Sequence, residues 1–126
     1  VTTGNLAFVS GQIPMKEGKV VFEGKVPETQ SIDSARDAAK ICIINGLAQL
    51  NANLGSLDKI TKFVRISGFV NSNPNFAEQP KVINAASDLL VEIFGDMAKH
   101  SRIAVGVANL PLNSTVEIDM IVEFSN

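Results

Sequence analysis

The 126 residues include no tryptophan and no tyrosine, and only one cysteine and one histidine. Each scarcity excludes something. A lone cysteine, Cys42, cannot form an intramolecular disulfide, so the chain fits a reducing compartment and a cytoplasmic location is expected. One histidine and one cysteine leave a structural zinc site short of ligands. Without Trp or Tyr there is no material for the usual aromatic cages or for a phenolic acid. No apolar run approaches the roughly 18 residues of a membrane span, and no charged segment precedes an apolar stretch as in a signal peptide. The formal net charge of −2 supplies no basic excess, so a nucleic-acid partner is not expected.

What remains is the composition of one globular domain, 45% hydrophobic and 19% charged. The opening "VTTGNLAFVSGQIP" reads as strand, turn, strand, with Gly4-Asn5 as a two-residue turn. A first strand of only Val1 to Thr3 implies that residues precede it. The second strand ends over Gly11 to Pro14, and Lys19 to Phe22 reads as a third. From Ser31 to Leu54 the apolar period becomes helical, through Ala35, Ala39, Cys42, Gly46, Leu50 and Leu54, widened by Ile43 and Leu47. Ser31 suits an N-cap, Asp33 the first turn and Gly55 the stop. Gly46, unfavourable inside a helix, points to a close approach of helix and sheet. Ile60 to Val70 reads as a strand. Phe76 to Phe94 reads as a second helix, with Pro80 in its first turns and a stripe of Val82, Ala86, Leu89, Leu90 and Ile93. The last strands are Ile103 to Ala108 and Thr115 to Phe124. The order β-β-β-α-β-α-β-β predicts an α+β two-layer sandwich. Its sheet is mixed but mainly antiparallel, with two helices on one face.

Alternation then sorts the last two strands. Val116, Ile118, Met120, Val122 and Phe124 share one face; Glu117, Asp119, Ile121 and Glu123 share the other. In the preceding strand the larger set, Ile103, Val105 and Val107, is expected against the helices. That leaves Arg102, Ala104, Gly106 and Ala108 beside Glu117 on the second face. Small residues in succession are unusual on a solvated face, so this face is read as a subunit interface. Arg102, at a strand start, could there make a surface ion pair. Glu117 could be a structural partner of Arg102 or of a backbone N–H across an interface, and Asp119 and Glu123 would be solvated or interfacial. Arg65 is read as an interface charge, with a second anion ligand as the alternative. Cys42 is a small core residue, and His100, alone in a loop, is expected to face solvent.

"GNLAFVSGQIP" at one end and "SRIAVGVANLPLNSTVEIDMIVEF" at the other resemble the two signatures of the Rid family. These are the reactive-intermediate deaminases, also called the YjgF family and sometimes labelled L-PSP endoribonucleases. The resemblance runs essentially end to end. Its departures are those of a divergent branch: there is no Gly-Pro-Tyr segment, "GDMAKHS" is shorter than the archetypal loop, and "FVNSNPNFAEQP" is longer. The resemblance implies a chorismate-mutase-like fold and a barrel-like homotrimer with clefts for small carboxylate-bearing metabolites between subunits. It also implies hydrolysis of 2-imino or enamino acids to 2-oxo acids and ammonia, without cofactor or metal. Carried across residue by residue, Arg102 would hold the substrate carboxylate and Glu117 would position or activate water. Backbone at Ile103 and Ala104 would line the cleft, and Ser10 would match a pocket serine. The family's pocket asparagine has two candidates, Asn84 by local sequence and Ser87 by spacing. A non-catalytic carboxylate-binding trimer would need Arg102 but not Glu117. A ribonuclease has the least support, because no basic, aromatic-interleaved stretch is present.

Overall fold

The computed structural model describes residues 1–126. The chain opens with a hairpin of β1 (Thr2–Thr3) and β2 (Leu6–Gln12), paired so that Thr3 faces Leu6. Gly4 takes a φ of 56°, the positive value that the first position of a tight hairpin turn requires. A second, separate hairpin follows, of β3 (Met15–Lys16) and β4 (Lys19–Val20), turned by Glu17 and Gly18 at φ 54° and 77°. The expected third strand is therefore shorter than Lys19 to Phe22 and stands outside the main sheet.

Helix α1 (Ile32–Leu54) begins where Ser31 predicts, its hydroxyl accepting the Ser34 N–H at 3.0 Å. It ends at Gly55, whose φ of 88° lets its N–H reach the Asn51 carbonyl at 2.9 Å. All six residues of the expected stripe are buried. A Cβ on Gly46 would run into the Met120 side chain, so the helix does rest directly on the sheet.

Strand β5 (Ile60–Asn71) leads to α2 (Gln79–Phe94). The helix starts three residues later than expected, because Phe76 is still in a turn closed by its N–H on the Asn73 carbonyl. Val82, Ala86 and Leu90 are buried as expected and Leu89 is half-buried, but Ile93 is 51% exposed. The helix is rotated toward Ile83, which lies over Gly68 of β5. Phe94 then takes the place expected of Ile93, with its ring 4.8 Å from that of Phe63.

Strands β6 (Ser101–Val107) and β7 (Val116–Phe124) complete a sheet ordered β1-β2-β7-β5-β6. Only β5 and β6 run parallel, because α2 crosses between them. The result is the expected α+β arrangement, with two helices packed on one face of a mixed sheet.

The two faces need one correction. On β7, Val116, Ile118, Met120 and Val122 are buried under the helices, as alternation predicts. On β6 the expectation is reversed. Arg102 lies opposite Ile66, which lies opposite Met120, so Arg102 and Ala104 face the helices. Ile103 and Val105 point to the open face, 38% and 41% exposed. Gly106 lies on the α2 side as well: a Cβ there would come within 2.6 Å of the Gln79 amide nitrogen.

Candidate functional site

Arg102 enters β6 beneath α2, and successive turns of that helix present acceptors to its guanidinium. Nη1 donates to Ser87 Oγ at 3.0 Å. Nη2 donates to Asn84 Oδ1 at 2.7 Å and to the Pro80 carbonyl at 3.4 Å. Both candidates for the pocket asparagine thus converge on Arg102, since positions three apart on a helix share a face. All three partners are neutral. The chain's two ion pairs, Lys81 with Glu78 and Lys99 with Asp96, involve other residues. Arg102 is thus half-buried and held in place, and it faces no carboxylate of its own chain.

His100 does not face solvent as expected. It is half-buried, with Nε2 2.9 Å from Ser87 Oγ and Nδ1 2.5 Å from the Ala98 carbonyl oxygen. A signal for this was available: residues two apart in extended chain share a side, and His100 precedes Arg102 by two.

Glu117 lies elsewhere. It sits opposite Phe69 on the open face, so Arg102 and Glu117 occupy opposite faces of the sheet rather than the one face expected. Its carboxylate packs against Gly11, where any Cβ would overlap it. Burial raises the pKa of Glu117, and the neighbouring charge of Asp119 raises it further. Across the sheet, burial foremost and Glu117 second push the Cys42 thiol far up; that thiol donates to the Val116 carbonyl and is no nucleophile.

Ser10 is exposed on β2 and lines a depression of about 340 Å³ on the open face with Arg65, Ser67 and Asp119. Ile103 shares that face, whereas Ala104 lies half-buried on the helix side. The expected site residues therefore fall into two groups. Arg102, Ser87 and Asn84, with Ala104 on the same side, lie under α2; Glu117, Ser10 and Ile103 lie on the far face. No three His, Cys, Asp or Glu side chains converge to hold a metal ion. No helix is long and apolar enough to cross a membrane.

A two-layer α+β domain with an arginine clamped beneath its second helix is the class these features define. Residues 1–124 match the family described as "YjgF/chorismate mutase-like, putative endoribonuclease", and the chain belongs to that family. Protein TCP17 of Trypanosoma cruzi is 39% identical over 127 residues, covering 100% of this chain and 79% of that protein. A crystal structure of the Agrobacterium tumefaciens protein Atu1372, of unknown function, superposes with a TM-score of 0.97 at 47% identity, over 99% of this chain and 79% of that one. A Shewanella oneidensis structure carrying the same endoribonuclease description gives a TM-score of 0.95 at 31% identity, over 98% and 82%.

Proposed function

We propose that the chain is a reactive-intermediate deaminase. It hydrolyses a 2-imino or enamino acid to a 2-oxo acid and ammonia, in a cleft completed between copies of a homotrimer. The observation that carries this reading is the state of Arg102, immobilised by neutral acceptors and without a counter-ion in its own chain. A guanidinium so held is ready for a ligand carboxylate, which it binds through charge-assisted hydrogen bonds.

In this reading Arg102 fixes the carboxylate beside the imine carbon. Water attacks that carbon, and the C=N bond becomes single. Glu117 takes the water's proton and returns it to the nitrogen. Transfer of the second proton then breaks the C–N bond, releasing ammonia and leaving the 2-oxo acid. A carboxyl with a raised pKa suits a group that must both accept and return a proton. Such acid–base assistance is worth roughly 10²–10⁴ in rate.

Arg102 and Glu117 on opposite faces cannot both touch one small ligand within a single chain. A second copy resolves this by bringing its open face to the neighbour's β6 edge. The open face suits association: Phe8, Ile103 and Val105 are exposed there, interleaved with Arg65, Glu117 and Asp119.

The test is release of 2-oxobutanoate from freshly generated 2-iminobutanoate. Wild type is expected to accelerate it, and Arg102→Ala and Glu117→Gln are each expected to slow it by roughly 10² or more. No acceleration by wild type, or full activity in Arg102→Ala, overturns the reading. Loss of activity with Arg102→Ala but not with Glu117→Gln would instead indicate a carboxylate site without Glu117 chemistry.

A further inference from the structure

We propose that His100 is a positioning residue for Arg102, acting through the Ser87 hydroxyl; this rests on Arg102 being the carboxylate receptor. With the imidazole neutral, the hydrogen-bond polarity leaves each group one role. A carbonyl oxygen only accepts, so His100 Nδ1, 2.5 Å from the Ala98 carbonyl, carries a hydrogen. In the neutral ring Nε2 is then a bare lone pair. Ser87 Oγ lies 2.9 Å from it and must donate its single hydrogen there. That commits the hydroxyl proton and turns the oxygen's lone pairs to Arg102 Nη1, at 3.0 Å, which can only donate.

The chain of donors thus runs from Arg102 to Ser87, from Ser87 to His100, and from His100 to the main chain of the turn before β6. Without an acceptor at the position of Nε2, the Ser87 rotor is free to aim its hydrogen at the guanidinium, where donor meets donor. Nη1 then loses its anchor while Nη2 keeps Asn84. The guanidinium plane is no longer fixed, and more of its motion must be frozen when a carboxylate binds. The ring sits between the short helical turn of Gly95–Ala98 and α2, so it locks the receptor from the side away from the ligand.

This makes a specific demand on the side chain at position 100: an acceptor must sit where Nε2 does. Glutamine can place its carbonyl oxygen there, and asparagine is too short. Two measurements test it. The first is the imidazole tautomer of wild type by nitrogen-15 NMR. The neutral Nδ1–H form, the minor one for a free histidine, is expected; a hydrogen on Nε2, in the neutral ring or the imidazolium, overturns the proposal. The second is calorimetric binding of 2-oxobutanoate. His100→Asn is expected to bind roughly three- to tenfold more weakly than wild type, with His100→Gln close to wild type and His100→Asn silent in a Ser87→Ala background. Arg102-dependent binding that His100→Asn leaves unchanged overturns the positioning role while leaving the receptor intact. Failure of wild type to bind in an Arg102-dependent way removes the receptor itself, and the proposal with it. The tautomer reads the relay even where a variant folds poorly.

Discussion

At the scale of residues, the proposed chemistry rests on two groups, Arg102 and Glu117, and each has a signature. Arg102 uses three of its five N–H donors on α2, which leaves Nε–H and one Nη1 hydrogen without a partner in its own chain. Lysine keeps the charge but has one nitrogen and no fork. Arg102→Lys is therefore expected to lose at least about tenfold in kcat/KM for the imino acid, read in the same oxo-acid assay. Glu117 has a pKa raised by burial and by Asp119. In the folded chain it holds its proton to a higher pH than in the unfolded chain. Between the two values the folded state binds more protons, so this group's contribution to stability falls as pH rises through that window. Glu117→Gln removes the effect. Denaturant unfolding from pH 4 upward is expected to show the variant gaining on wild type as pH rises, with no gain below the window. A constant difference across pH would deny the shift.

At the scale of elements, two glycines place the helices and they are not equivalent. A methyl on Gly46 meets the tip of the flexible Met120 side chain and adds about 1 kcal/mol of helix propensity, so Gly46→Ala is expected to be close to neutral. A methyl on Gly68 meets three carbons of the branched Ile83 side chain at 2.6–2.9 Å. Gly68→Ala is expected to destabilise by about 1–3 kcal/mol, as overpacking does. It should also weaken carboxylate binding, because lifting α2 carries Ser87 and Asn84 off Arg102. Urea midpoints of the two variants test the contrast. Helix α1 was legible in the sequence from cap to stop, because capping, period and terminal glycine are all local signals. So was the inward face of β7, a strand buried on that side along most of its length. The face of β6 was not legible. Its larger apolar set, Ile103 and Val105, points outward, and only the parallel register with β5 reveals this. Edge position and a covering helix reversed what hydrophobic count alone implies. The same reversal turned Arg102 toward Ser87 and Asn84, which the sequence marked only as alternatives for one role.

At the scale of the whole molecule, the separation of Arg102 from Glu117 is the organising fact. In the proposed reading one copy would supply the clamped guanidinium under α2 and another the carboxyl on its open sheet face, so that a catalytic site would need both. The apolar side chains of the open face, which no helix of the same chain covers, then have a reason to be there. A site shared in this way can be rebuilt from two broken copies. Arg102→Ala and Glu117→Gln, each inactive alone, are to be co-expressed in equal amounts and assayed together for 2-oxobutanoate release. Random assembly of a cyclic trimer leaves about a quarter of the clefts with an intact arginine on one side and an intact glutamate on the other. Recovery of about a quarter of the wild-type rate is the predicted result; a mixture as inactive as its two parents contradicts a site shared between copies.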